Sequence, residues 1–321
     1  MCISIVIPVY NEVENVEPLY EAICPSMEDA GLQFEVIFVD DCSQDGTLDL
    51  LRAIAARDDR VRVVELRGNF GQTIALRTGI ELSRGEIIAV MDGDMQNDPR
   101  DIPALVEKLN EGYDVVSGWR RDRNDPLISR KVPSKIANWL MRTVTRVPIH
   151  DTGCSLKVFR AELLRKLPLY SDMHRFIPAI SMMATDRIAE VVVRHHARKF
   201  GISKYGLTRI IKVIPDLVTL KMLVSFSRRP MHWFGGWAAL FFLLSVTTGT
   251  YVAYCCFACS DAPLTVLLSV TALLGFASVH LAGAGIFAEL IIQSEPSHPI
   301  EPLVDVRLIR REDPIRDENH E

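Results

Sequence analysis

Asp92-Gly93-Asp94-Met95-Gln96 sets two carboxylates and a side-chain amide on one short segment. These are hard oxygen donors of the kind that hold Mg²⁺ or Mn²⁺. Two like charges so close repel unless a cation lies between them. Helix capping therefore suits Asp98, ahead of Pro99, better than it suits Asp92 and Asp94 together. Two other polar clusters stand out: Pro8-Val9-Tyr10-Asn11-Glu12 and Asp40-Asp41-Cys42-Ser43-Gln44-Asp45-Gly46. In the second, Ser43 or Asp45 also suits a helix cap. The first cluster has no G-x-G-x-x-G, and a Walker A loop is absent. A nucleotide bound here would have its phosphates held through a cation rather than by a glycine-rich cradle.

Each cluster follows an apolar run. Ile3–Val9, Phe34–Val39, Val61–Leu66, Ile87–Met91 and a run starting at Val115–Ser117 read as strands. Glu14–Gly31, Thr47–Arg57, Gly71–Ser83 and Ile102–Glu111 read as helices, the first interrupted by Pro18 and Pro25. Strands that are apolar throughout and alternate with helices predict a mostly parallel α/β sheet covered on both faces. Ligands of such sheets bind outside the carboxyl ends of the strands, where the clusters lie.

Composition narrows the function. Lys+Arg 36 against Asp+Glu 41 gives a net charge of −5, which argues against a general nucleic-acid binder. Within that acidic chain, Gly118 to Arg146 holds eight basic residues, beginning with Arg120 and Arg121, against Asp122 and Asp125. A local basic patch of this kind expects an anionic partner such as a lipid phosphate or membrane surface. The seven cysteines form no disulfide framework or zinc site. Cys256 and Cys259 fall in an apolar run and read as helix-packing residues. His195 and His196, adjacent on a strand, point to opposite faces and are poorly placed to share a metal. His150 and His174 stay open between core packing and the rim of a site.

Taken together, the three clusters resemble glycosyltransferase family 2, whose fold is GT-A. The closer likeness is to the branch that makes polyprenyl-phosphate sugars. It is carried by His150-Asp151-Thr152-Gly153-Cys154, His174-Arg175-Phe176-Ile177-Pro178 and Arg198-Lys199-Phe200-Gly201-Ile202-Ser203-Lys204-Tyr205-Gly206. The resemblance spans about residues 3 to 230 and departs at Cys42, where the family has glycine. It implies an inverting hexosyltransferase acting from a nucleotide sugar, of UDP-glucose or GDP-mannose type, onto a polyprenyl phosphate. Pro8, Tyr10, Glu12 and Asp41 would hold base and ribose, and Asp92, Asp94 and Gln96, around Gly93, would hold Mg²⁺ or Mn²⁺. Arg120, Arg121, Arg198, Ser203 and Lys204 would meet phosphates, and Asp151 would serve as base or positioning group. Cellulose- and hyaluronan-synthase-like relatives carry a Q-x-x-R-W motif that this chain lacks. A membrane-anchored nucleotide-sugar binder without turnover, or a transferase with another lipid acceptor, remains the alternative.

The remaining chain reads as a membrane anchor with its flanks. His232 to Ser260 and Ala262 to Ala288 contain no Asp, Glu, Lys or Arg. Two spans, roughly Trp237 to Ala258 and Pro263 to Gln293, each exceed the ~20 residues needed to cross. The expected division is 1–206 catalytic, 207–231 amphipathic and interfacial (or packed on the catalytic domain), 232–293 a membrane hairpin, and 294–321 a cytosolic tail. Arg228 and Arg229 precede the first span, and Arg307, Arg310 and Arg311 follow the second. Positive residues stay inside, and Met1 to Tyr10 is not a signal peptide. The expectation is a multi-pass protein of the inner (plasma) membrane with a cytosolic catalytic domain. Gly249 and Ala282-Gly283-Ala284-Gly285 would let helices pack closely, within the hairpin or in a homo-oligomer.

Overall fold

A computed structural model describes residues 2–121, 148–167, 169, 173–182, 184–196, 230–257, 264–294 and 306–309. Arg198, Ser203, Lys204, the interfacial stretch and most of the basic run lie outside them. The chain forms two compact units, one of residues 1–220 with 302–321 and one of 221–301.

The first unit is built on β1 (Cys2–Val9), β2 (Gln33–Asp40), β3 (Val61–Leu66), β4 (Ile87–Val90), β5 (Val115–Trp119), β6 (Lys157–Arg160), β7 (Ile188–Val192) and β8 (Val306–Ile309). They form one sheet in the order β7-β5-β6-β4-β1-β2-β3-β8. β1 pairs in parallel with β2 and β4, β2 with β3, and β5 with β7, while β6 runs antiparallel between β4 and β5. The helices are α1 (Val13–Asp29), α2 (Thr47–Arg57), α3 (Gln72–Leu82), α4 (Ile102–Asn110), α5 (Ala161–Arg165) and α6 (Ile177–Ser181). One sheet face buries Ile3, Ile5, Ile7, Val36 and Phe38 in a common core with Val16, Leu19 and Ile23 of α1 and Leu105 of α4. On the other face, a Cβ at Gly79 of α3 would lie 2.9 Å from Val39, so only glycine lets this helix approach so closely.

Pro18 and Pro25 do not break α1, contrary to the sequence expectation. Each internal proline costs ~3 kcal/mol. Val16, Leu19, Ile23 and Met27 are all fully buried along its inner stripe, and each contributes ~1.5–3 kcal/mol. Packing outweighs the two lost hydrogen bonds. β6 and β8 are the other departures. The expected tail supplies β8, which pairs antiparallel with β3, Val63 opposite Ile309 and Leu66 opposite Val306. That pairing covers an edge that would otherwise expose free backbone groups.

In the second unit, α7 (Pro230–Phe257) and α8 (Leu264–Ser294) are both long and apolar enough to cross a membrane. Three hydroxyl bonds link them: Ser278 to the Ala238 carbonyl at 2.8 Å, Ser245 to the Thr271 carbonyl at 2.9 Å, and Thr271 to Thr248 at 3.1 Å. The small residues divide. Gly249, Gly275 and Gly285 face the neighbouring helix, whereas a Cβ at Gly283 would meet nothing within 4 Å. Leu243, Phe276, Val279 and Phe287 stand exposed on the outside, as lipid contact requires.

Glu35 pins the end of the sheet away from the clusters. Its carboxylate accepts from Ser4 Oγ (2.6 Å), the Arg84 N–H (2.6 Å) and Arg62 Nη1 (3.1 Å). Burial alone would raise its pKa, but these donors hold it below the ordinary value. A depressed carboxylate adds stability that is present above its unfolded pKa, about 4.3, and is lost as pH falls through the folded value. Glu35→Gln is expected to destabilise by about 1–3 kcal/mol at pH 7, read as a lowered Tm in detergent. The gap to the unsubstituted protein should narrow below about pH 4. An equal gap at pH 7 and pH 3 would refute the role of the charge.

Candidate active site

The carboxyl ends of β1, β2 and β4 lie side by side, and each turns into a polar loop through one strained residue. Asn11 (φ 53), Cys42 (φ 64) and Met95 (φ 60) adopt left-handed backbone, the only described non-glycine residues to do so. Such strain costs of order 1–3 kcal/mol each, persists only where neighbours over-determine it, and clusters at functional sites. The neighbours are visible. The Asn11 N–H donates to Ser43 Oγ at 2.8 Å, and Asn11 Oδ1 accepts from the Gln44 N–H at 2.8 Å. The Glu12 N–H donates to Thr47 Oγ1 at 2.9 Å, and the Val13 N–H to Asp45 Oδ2 at 3.2 Å. Asp45 also accepts from the Thr47 N–H at 3.1 Å, but the N-cap of α2 is Gly46 rather than Ser43 or Asp45 as expected. The first two clusters are one interlocked structure.

Asp41 is 4% exposed, and its two oxygens accept from the Phe70 N–H (2.8 Å) and the Gly71 N–H (2.9 Å). Burial raises its pKa against these two bonds. Its neighbour Asp40, also raised by burial, accepts from the Ser43 N–H at 3.0 Å. Asp41 therefore anchors the loop Asn69-Phe70-Gly71-Gln72 that opens α3. From that loop Gln72 Nε2 donates to Asp92 Oδ1 at 2.7 Å, and Thr73 Oγ1 bonds His174 Nδ1 at 2.7 Å. The sequence reading passed over Gln72. The rule of searching after each strand, applied to β3, would have found it.

The third cluster is a tight turn. The Gln96 N–H donates to Asp94 Oδ1 at 3.1 Å, and a Cβ on Gly93 would come within 2.8 Å of Val9. Glycine between the two aspartates is what lets the turn lie against the end of β1. The pKa of Asp92 is raised by burial and then by the Asp94 carboxylate, against Ser155, Lys157 and Arg120. That mutual repulsion marks a place for positive charge. Asp92 and Asp94 are hard oxygen donors of the kind a divalent cation takes, and their mutual repulsion fits one. Asp98 lies off this group: Arg100 and His196 hold its carboxyl well below the ordinary range despite burial, and it accepts from the Arg100 N–H at 3.1 Å as a cap.

Toward β5 the charges change. Arg120, just past β5, makes a two-bond pair with Asp151: Nε to Oδ2 at 2.7 Å and Nη2 to Oδ1 at 2.9 Å. Both side chains are nearly buried, at 11% and 6% exposure. The pair outweighs the burial that would otherwise lower the pKa of Arg120. Lys157, at the start of β6, is buried beside them and donates to the Cys154 carbonyl. Burial lowers its pKa, while Asp92 and Asp151 act to raise it. The Cys154 thiol, pushed up to about 11 by burial, is inert packing. Pro8, Tyr10, Glu12, Asp41, Asp92, Gly93, Asp94 and Gln96 thus share one stretch of the sheet edge, with Arg120 and Asp151 further along it, while Arg121 is exposed. Lys157 escaped the sequence reading because its place beside Arg120 and Asp151 comes from strands distant in the chain.

Residues 4–168 match the Glycosyl transferase family 2 profile. The chain is 40% identical over 312 residues to a dodecaprenyl-phosphate galacturonate synthase of Rhizobium johnstonii, covering 96% of this chain and 92% of that protein. It is 34% identical over 318 residues to an undecaprenyl-phosphate 4-deoxy-4-formamido-L-arabinose transferase of Pseudomonas paraeruginosa, covering 94% and 90%. Glucosyl-3-phosphoglycerate synthase from Mycobacterium tuberculosis, crystallised with Mn²⁺, UDP and glucosyl-3-phosphoglycerate, superposes with a TM-score of 0.54 at 22% identity, over 69% of this chain and 78% of that one. That likeness concerns the fold, which is GT-A. The chain belongs to glycosyl transferase family 2, and its likeness to the polyprenyl-phosphate branch is borne out.

Cys42 explains its own departure from the family pattern. A left-handed φ favours glycine, and a side chain there costs roughly 1–2 kcal/mol. Cys42→Gly is therefore expected to stabilise the protein by about 1 kcal/mol, offset in part by glycine's greater freedom when unfolded. A raised Tm in detergent would show it. A lowered Tm would mean that the Cys42 side chain makes compensating contacts.

Proposed function

We propose that this chain transfers a sugar from a nucleoside diphosphate to a polyprenyl phosphate, with inversion at the anomeric carbon. The observation that carries the reading is the edge itself: two interlocked polar loops at the ends of β1 and β2, paired carboxylates at β4, and buried cations beyond them. Pro8, Tyr10, Glu12 and Asp41 would receive the base and ribose, through the lone pairs that the loop leaves on Asp41. Asp94, with Asp92 and Gln96, would hold Mg²⁺ or Mn²⁺, which when bound neutralises charge developing on the leaving diphosphate. An acceptor phosphate oxygen attacks the anomeric carbon as the bond to the diphosphate breaks. Two anions must approach for this, and Arg120 screens their repulsion while Asp151 fixes its guanidinium. Gln72 holds Asp92 in orientation.

Membrane placement supports the acceptor. Two apolar helices follow the catalytic unit, yet β8 rejoins its sheet. A chain that leaves and returns makes an even number of crossings. With the arginines at both ends, this favours a hairpin in the plasma membrane and a cytosolic catalytic unit. For the donor, the 40% relative is named for galacturonate and the 34% relative for an aminoarabinose. UDP-galacturonate therefore joins UDP-glucose and GDP-mannose as a donor to test.

Purified protein in detergent, given undecaprenyl phosphate, Mn²⁺ and a panel of UDP- and GDP-sugars, is expected to make a lipid-linked sugar from one of them. Asp94→Asn, or EDTA, should remove most of that activity with the fold intact. No product from any donor would overturn the transfer reading. Full turnover by Asp94→Asn would overturn the metal assignment.

A further inference from the structure

His150 takes no part in the site as drawn so far, yet three contacts fix it. Its Nδ1 lies 2.8 Å from Glu190 Oε2, its N–H donates to Glu190 Oε1 at 2.7 Å, and its ring stacks on Trp119 with centroids 4.6 Å apart and planes inclined by 18°. Glu190 Oε1 also accepts the Asp151 N–H at 2.9 Å. The Glu190 side chain is 8% exposed, while that of His150 is 52% exposed. A carboxylate only accepts hydrogen bonds, so Nδ1 carries the proton. The free position of the ring is therefore Nε2, on an imidazole whose other nitrogen is held by a buried carboxylate. The hydrogen bond at Nδ1 fixes the tautomer and the ring orientation, leaving Nε2 to meet a ligand.

The place of the ring in the sheet says what it meets. Trp119 ends β5 and Glu190 belongs to β7, two and three strands along the edge from β4. At ~4.8 Å per strand, that is roughly 10–14 Å from the paired aspartates. On the layout proposed above, the base lies over β1 and β2 and the diphosphate at β4, so the edge beyond β6 is left to the acceptor. His150 also adjoins Asp151, whose carboxylate holds Arg120.

We infer that His150 binds the acceptor phosphate through Nε2, with Glu190 as its positioning residue; the inference rests on the polyprenyl-phosphate reading. A phosphate monoester has a second pKa of about 6. Nε2, which carries no proton on the neutral ring, accepts the hydrogen of a phosphate monoanion. With the dianion, a ring protonated at both nitrogens donates from Nε2 to a phosphate oxygen, and Glu190 balances its charge. In neither case is a covalent bond made or broken.

The test separates the two ring nitrogens. His150→Asn keeps an N–H near the position of Nδ1 and loses Nε2; His150→Gln keeps an N–H near Nε2 and loses the Glu190 contact. In full-length protein, His150→Asn should raise KM for undecaprenyl phosphate at least about tenfold, the loss of one hydrogen bond to a charged group. Donor KM should stay unchanged. His150→Gln should recover a good part of the loss. Binding of farnesyl phosphate, followed by ³¹P NMR without donor, should weaken in parallel in His150→Asn, and this reading survives even if the donor panel yields no product. A His150→Asn enzyme with wild-type acceptor KM and wild-type farnesyl phosphate binding would overturn the inference. So would a rise in KM confined to UDP-galacturonate and not seen with UDP-galactose, which would assign Nε2 to a sugar carboxylate.

Discussion

The ion pair between Arg120 and Asp151 is the interaction on which the acceptor half of the proposed site depends. Taking both groups out of water carries a penalty of several kcal/mol per ion, recovered only when geometry is good and the remaining lone pairs are satisfied. The geometry is good: two near-parallel bonds at 2.7 and 2.9 Å. The Gly153 N–H adds a further bond to Asp151 at 3.2 Å, and the Asp151 N–H is itself tied to Glu190. The chain around Asp151 is thus built to hold one carboxylate against one guanidinium. Removing either partner would leave the other buried without the ion-pair bonds it now makes.

The same logic orders the whole edge. On the proposed reading, Asp92 and Asp94 at β4 would receive a cation, and Arg120 and Lys157 beyond it, held beside Asp151, would meet phosphate. Lys157 and Arg120 sit close enough to Asp92 to moderate it without neutralising it. A site that must bring two anions together needs fixed cations more than it needs a base, because a phosphate acceptor is already largely deprotonated at neutral pH. The strained residues Asn11, Cys42 and Met95 fit this picture, since each sits where a strand gives way to one of the three polar clusters.

Much of this was legible in the sequence because it is local. The run Thr47–Arg57 is bounded as expected, Val61–Leu66 is a strand as read, and the three clusters follow their strands. What was not legible depends on partners far apart in the chain. His150 meets Glu190 across 40 residues, and β8 pairs with β3 from near the other end of the sequence. No spacing rule carries such information. α1 shows the converse: its prolines argue for a break, but the buried stripe decides.

The most direct test of the account is the pH dependence of turnover in Asp151→Asn. If Asp151 positions Arg120, the variant should turn over far more slowly while its rate still falls on the acid side near pH 6, where the acceptor phosphate takes up its proton. If the acidic limb instead vanished while substantial activity remained, Asp151 would be the titrating base, and the account of a site built to position charge would be wrong.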